Sequence, residues 1–351
     1  MTINTVKILL ASITTFLIAY SLAPYYIKLL TKHEMWKKRS VATTTDGKEA
    51  TITARLHNDE NKKIPRVGGA VIWVSVFLVA SIFWILSEYI PFINKIDFVS
   101  RNQTWLILFG MVFAGVLGAI DDISSCGKKV FLIGSNGLSF KWRILVVFFL
   151  SLFIAWWFYV KLAFTVVFVP FFGLVYLGIL IIPLIILITV VMSAVSVIDG
   201  IDGLSGGLFA IAFASYGIIA IAQNQINIAA FCFSVVGALT AFLWFNIMPA
   251  KFYNSETGLL SLSTTLSLVA ILMNQIFVLP IIALPLLSGP ISSFLQLFWK
   301  KFFHKKLFTV APVHHHFQAN GMASHTVVMR YWLFALMCAY IGIILALAGS
   351  M

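Results

Sequence analysis

The chain has little charge. Of its 351 residues only 10% are Asp, Glu, Lys or Arg, while 61% are hydrophobic and the mean hydropathy is +1.00. A soluble domain carries about 25% charged residues. So little polar surface cannot cover a particle in water, which excludes a soluble globular protein, a disordered chain and a coiled coil. Cysteine is also scarce. Cys126, Cys232 and Cys338 are scattered and form no CxxC pair, which argues against a disulfide framework or a thiolate metal site. There is no Walker GxxxxGKS/T and no GxGxxG, so any nucleotide is held by neither of those folds. Repeats and low-complexity stretches are missing too. Acid is the scarcest charge, with 12 Asp+Glu against 24 Lys+Arg. The net charge of +12 does not point to nucleic acid. In a membrane protein, basic residues mark cytoplasmic loops.

What the chain does have is apolar runs. About 20 apolar residues cross a bilayer as a helix, and near-continuous runs favour helices over an alternating barrel pattern. The expected architecture is an all-α polytopic membrane protein, one integral membrane domain over 1–351. Ten spans are expected at 6–27, 67–87, 104–120, 143–160, 174–197, 204–222, 228–247, 259–277, 279–299 and 328–349. The first reads as a retained span rather than a cleaved signal. The segment 161–173, rich in Phe and Val and containing Pro170, reads as a short strand hairpin or an interfacial piece. The loops at 28–66, 121–143, 198–203, 248–258 and 300–330 hold 20 of the 24 basic residues, leaving Lys7, Lys95, Arg101 and Lys161 on the other side. That asymmetry places these loops in the cytoplasm and both termini outside.

Seven of the twelve acids precede residue 98 and read mostly as solvated loop surface. The other five, Asp121, Asp122, Asp199, Asp202 and Glu256, all sit at cytoplasmic ends of spans. Ionisable groups at membrane depth are costly and mark function. Adjacent carboxylates at Asp121–Asp122 repel unless a cation or a shared proton relieves them, and a divalent ion with oxygen ligands is one relief. In Asp199-Gly-Ile-Asp202-Gly the glycines open the backbone where a span ends, so two carboxylates can turn into one cleft. Pro312-Val-His-His-His-Phe317 lies in a loop with Lys300, Lys301, Lys305 and Lys306. Three consecutive histidines cannot all face one way, so a three-His zinc site is disfavoured. Carboxylates for Mg²⁺ surrounded by cations (Arg66, Lys128, Lys129, Lys141, Arg143) suit a nucleoside diphosphate. At the edge of a bilayer, the second substrate can be a lipid.

The motifs along the chain resemble those of the MraY family, the phospho-N-acetylmuramoyl-pentapeptide transferases, within the polyprenyl-phosphate N-acetylhexosamine-1-phosphate transferase superfamily. Pro65-Arg-Val-Gly-Gly69 resembles its PxxGG motif, and Gly118-Ala-Ile-Asp-Asp122 its Asp-Asp motif. Gly137-Leu-Ser-Phe-Lys-Trp-Arg143 is similar to the basic segment that follows, and Asp199-Gly-Ile-Asp-Gly-Leu204 to the DGLDGL motif. Asn246-Ile-Met-Pro-Ala250 with Glu256-Thr-Gly258 resembles the NxxPA and GDxGS region. Phe308-Thr-Val-Ala-Pro-Val-His-His-His-Phe-Gln318 and Met329-Arg-Tyr-Trp332 are the most specific, because relatives that use GlcNAc generally lack the triple-His block.

The resemblance implies transfer of phospho-MurNAc-pentapeptide from UDP-MurNAc-pentapeptide to undecaprenyl phosphate, giving lipid I and UMP with Mg²⁺. The site would lie on the cytoplasmic face of a bacterial inner membrane, and the partners would include no nucleic acid. A homodimer is left open. By the same resemblance Asp121, Asp122 and Asp199 are catalytic, and Asp199, Glu256 and Asp121 hold the metal. Arg66, Lys141, Arg143, Ser196, Asp202, Asn246, His314, His315 and His316 bind substrate. Direct attack by the lipid phosphate, already ionised near neutral pH, is favoured over a covalent intermediate. The chain departs from the family at Ser193 and Ser196, where Asn is usual, and at Ser255-Glu256, where Gly-Asp is usual. Gln318 replaces Glu, and Arg66-Val67 replaces Thr-Met. Apart from Val67, every substitute carries oxygen or charge. Three alternatives compete: a sister GlcNAc-1-phosphate transferase, an inactive lipid-binding homologue, and a transporter. A transporter would carry its carboxylates near mid-bilayer, not at span ends.

Overall fold

A computed structural model describes residues 2–36, 63–99, 102–127 and 140–349. Lys128, Lys129, the Gly137-Leu-Ser start of the basic segment and most of the 28–66 loop lie outside the described residues, as does the side chain of Lys141. In a bilayer a spanning backbone must satisfy its own hydrogen bonds, and the helix does so locally. The long helices are α1 (Thr2–Lys32), α2 (Ala70–Ser87), α4 (Asn102–Ser125), α5 (Phe140–Val160) and α6 (Ile181–Ser193, extended by 3-10 turns at both ends). They continue with α7 (Leu204–Ala222), α8 (Ile226–Asn246), α9 (Ser255–Leu272) and α13 (Ser324–Ala348). Short helices α3 (Pro91–Ile96), α10 (Leu279–Ile282), α11 (Leu284–Phe303, long but bent away) and α12 (Val313–Ala319) complete the chain.

Nine helices among the described residues are long and apolar enough to cross a membrane, ten if the bent pair 276–282 and 284–303 is one span. The ten expected spans are therefore present, but 279–299 is not straight. The pair meets at 76°. Pro285, in the first turn of α11, has no N–H to continue the ladder from α10, which breaks the helix. Three other boundaries shift. Helix α4 runs past residue 120, so Asp121 and Asp122 sit in its last turns. Helix α5 begins at 140, so Arg143 is on a helix and not in a loop. The His block, expected in a loop, forms α12 after Pro312.

The hairpin expected as one alternative for 161–173 is present but runs on to Tyr176, so the span expected from 174 begins only at Gly178. β1 (Val166–Val169) pairs antiparallel with β2 (Gly173–Tyr176), in the register Val166↔Tyr176. It follows α5, a helix of 21 residues and hence about 31 Å long. The hairpin therefore lies at the opposite end of the bundle from Arg143.

Helices α7, α8 and α9 form the interior, with Phe209, Phe213, Phe231 and Phe242 fully buried among them. Without a hydrophobic force between helices in lipid, small residues and hydroxyls close the contacts. Thr15 on α1 meets Ser234 on α8 at 2.6 Å. On α9, Ser261 donates to the Met111 carbonyl at 2.7 Å, and Ser263, Thr265 and Ser267 are buried beside it. Ser261 ties α9 to α4, while Ser263, Thr265 and Ser267 donate to carbonyls of their own helix.

Candidate active site

The N-terminus of α9 is the hub. A helix start leaves backbone N–H groups unpaired and carries partial positive charge. Here two carboxylates from elsewhere in the chain take them. Asp199, at the end of the turn after α6, accepts from the Ser255 N–H at 2.8 Å. Asp122, from α4, accepts from the Thr257 N–H at 2.8 Å and the Thr257 hydroxyl at 2.6 Å with the same oxygen. Between them lies Glu256, whose Oε1 takes Arg143 Nη1 at 2.6 Å, while Nη2 of the same guanidinium reaches Asp121 Oδ2 at 2.9 Å. The Ser196 side chain is near enough to Glu256 to favour its charged form. Acids 57 to 135 residues before Glu256 thus meet it at the start of α9.

Glycine makes the approach close enough. A Cβ on Gly118 would collide with the Glu256 carbonyl and lie 2.8 Å from the Thr257 Cα. A Cβ on Gly258 would collide with the Asn254 side chain and sit 2.8 Å from the Gly69 Cα. The Pro65-Arg-Val-Gly-Gly69 segment is pinned there, with the Tyr253 N–H donating to the Pro65 carbonyl at 2.9 Å. This brings Arg66 close enough to act electrostatically on both Asp122 and Asp199.

Burial lifts the Asp199 carboxyl above the usual range even though one face stays partly open. The Ser205 hydroxyl at 2.7 Å, the Ser255 N–H and the Arg66 charge oppose that lift. Ser205, Thr257 and the Ser255 N–H had no role in the sequence reading. Thr257 lies inside a quoted motif, whereas a serine one residue past Leu204 gives no signal in a chain rich in helical hydroxyls. Asn254 is buried with its Oδ1 unpartnered.

The other expected residues divide into two groups. Asn246 is buried, accepting from the Gly203 N–H at 3.0 Å and donating to the Phe252 carbonyl at 2.8 Å. Asp202 accepts from the Ala250 N–H at 2.9 Å. Both brace the 247–253 turn beneath the hub. The histidines split as their spacing required. His314 and His315 are buried against Gly200, inside the Asp199–Asp202 turn, while His316 faces away toward Thr309 and Asn320. Gln318 fixes the His315 ring at 2.7 Å and donates on to Ser324 at 2.8 Å. Both ring nitrogens of His314 lack partners. Burial, then the neighbouring His315, pushes its pKa well below the ordinary histidine value.

Among the described residues no three Asp, Glu, His or Cys side chains form a metal-ligating group. Asp121 and Glu256 converge on the Arg143 fork instead. The donor chemistry still suits a hard divalent cation. Two carboxylates already share one cationic partner, and Asp199 is tied to Ser255, the residue preceding Glu256.

Carboxylates, a guanidinium and imidazoles gathered at one end of a many-helix membrane bundle define a polytopic membrane transferase, and residues 104–274 match the family described as glycosyl transferase family 4. The chain is 30% identical to a phospho-N-acetylmuramoyl-pentapeptide-transferase of Chloroflexus aurantiacus, over 97% of this chain and 90% of that one. It is 31% identical to one from Levilactobacillus brevis over 83% and 87% of the two chains. A third, from Caldanaerobacter subterraneus subsp. tengcongensis, is 28% identical over 96% and 98%. The chain belongs to the phospho-N-acetylmuramoyl-pentapeptide transferase family, and it is a multi-pass bacterial membrane enzyme of peptidoglycan biosynthesis.

Proposed function

We propose that the protein transfers phospho-MurNAc-pentapeptide from UDP-MurNAc-pentapeptide to undecaprenyl phosphate, releasing UMP and forming lipid I. The observation that carries this reading is the convergence of Asp121, Asp122, Asp199 and Glu256 on the α9 N-terminus beside the buried His314–His315 pair. In the reaction, an ionised oxygen of the lipid phosphate attacks the phosphorus that bears the sugar. The new P–O bond forms as the bond to UMP breaks, and UMP leaves with the electron pair. The acceptor needs no base, so the carboxylates serve mainly in electrostatics and positioning.

Arg143 and Arg66 supply positive charge where the phosphates gather. His314 and His315, held over Gly200, are placed to hydrogen-bond the nucleotide. Asp202 and Asn246 brace the 247–253 turn beneath the hub. Asp121, Glu256 and Asp199 would hold Mg²⁺, with Arg143 giving way from its fork. When bound, such an ion would supply positive charge against the charge that develops on the phosphates. The basic loops around this end support a site on the cytoplasmic face, with both termini outside.

The test is lipid product formation by protein in mild detergent, followed by mass spectrometry, with Mg²⁺ or with EDTA. Lipid I is expected only with Mg²⁺, and Asp199→Asn is expected to lower its rate by roughly 100-fold or more. Equal product in EDTA would remove the metal from the account.

A further inference from the structure

Helix α12 has two working faces. His314 and His315 press on Gly200, while Val313 and Phe317, one turn apart, line a separate groove of about 360 Å³. Its remaining walls come from α11 and α13 and are almost wholly apolar, including Met322, Val327 and Phe334. Ser288 and Tyr331, the polar groups inside, are turned to each other at 3.3 Å. None of the site carboxylates lines it. The groove opens on the outer surface, since Phe317 and Phe334 are exposed.

One charge reaches it. Arg330 stands in the second turn of α13, at the end of the bundle that carries the hub. Its Nη1 touches only the Met322 sulfur at 3.8 Å, and no carboxylate pairs with it among the described residues. The neighbouring helix α11 ends in Lys300 and Lys301, with Lys305 and Lys306 just beyond. A guanidinium at the mouth of an apolar groove, at the end of the bundle that carries the hub and without a carboxylate partner among the described residues, is complementary to an anionic head on a long chain.

We propose that this groove binds an acidic phospholipid of the surrounding bilayer, its phosphate on Arg330 and its acyl chain along Phe317, Met322 and Phe334. The bound lipid braces α12 from behind, so membrane composition bears on how firmly His314 and His315 are held against the Asp199–Asp202 turn.

The test is native mass spectrometry of the purified protein, with phosphatidylglycerol competing against phosphatidylcholine. Wild type is expected to prefer phosphatidylglycerol by about fivefold, the scale of one basic residue at a membrane surface. Arg330→Gln loses that preference and Arg330→Lys keeps most of it. Phe334→Ser weakens both lipids while leaving their ratio intact, which separates chain contact from head contact. In hydrogen exchange, phosphatidylglycerol protects the 313–319 backbone in wild type and not in Arg330→Gln, with melting temperatures confirming that both are folded. Equal affinity for the two lipids, or full preference in Arg330→Gln, overturns the proposal. So does one-for-one displacement of phosphatidylglycerol by undecaprenyl phosphate, which would make the groove the acceptor's seat.

Discussion

Arg143 bridges two carboxylates that would otherwise repel in a half-buried site. Replacing it by Gln is expected to lower kcat by roughly 100-fold or more. Lys is expected to restore only part of that, because a point charge cannot fork between two acids. A kcat within threefold of wild type in Arg143→Gln would remove it from the machinery. Ser196 favours the ionised form of Glu256, and Glu256 is a longer acid than the Asp that the family resemblance implies at this position. Glu256→Asp alone is expected to cost activity, and adding Ser196→Asn to recover part of it. The coupling, read from a double-mutant cycle in kcat, should fall within about 0.5–3 kcal/mol, and strict additivity contradicts the pairing. The four hub acids were legible in the sequence because acid is so rare after residue 98. Their partners were not. Ser205 and Thr257 look like any helical hydroxyl until the fold brings Asp199 and Asp122 to them.

At the scale of elements, the contact of α4 with the start of α9 sets the spacing of the hub. Gly118→Ala forces a methyl into the Glu256 backbone, which neither helix can yield without moving the carboxylates. The expected result is a loss of stability of about 1–3 kcal/mol together with loss of activity, measured by thermal melting and turnover on the same preparation. Helix α12 carries a pH prediction. The unfolded chain protonates His314 below about pH 6.5 while the folded one resists, so stability is kept above that value and lost below it. The melting temperature should fall between pH 7.5 and 5.5, and His314→Gln should flatten that slope. Asp199 acts in the opposite sense over the carboxylate range, because its raised pKa makes the folded state the better proton binder there. The spans were readable from apolar length alone. The 76° break was signalled by Pro285 but not read, since a run of apolar residues conceals whether it continues straight. The use of α9's first N–H groups by distant acids left no trace in sequence, because it depends on the close packing of Gly118 and Gly69.

For the whole molecule, the orientation proposed from loop charge goes with a difference between the bundle's two ends. The hub and the histidine helix share one end, and the hairpin shares the other with Gly349, whose carbonyl accepts the Phe171 N–H. A C-terminal alkaline phosphatase fusion is therefore expected to be active and a C-terminal green fluorescent protein fusion dark, and the reverse pattern would turn the bundle over. Composition, topology and the acid clusters all lead to one membrane transferase. The choice of donor rests on a narrower base, the His314–His315 pair over Gly200. It is tested most directly by measuring UMP release with Mg²⁺ and undecaprenyl phosphate, offering UDP-MurNAc-pentapeptide and UDP-GlcNAc in parallel. The account predicts UMP from the pentapeptide donor and none above background from UDP-GlcNAc. UMP from UDP-GlcNAc alone, or from neither donor in a folded preparation, would contradict it.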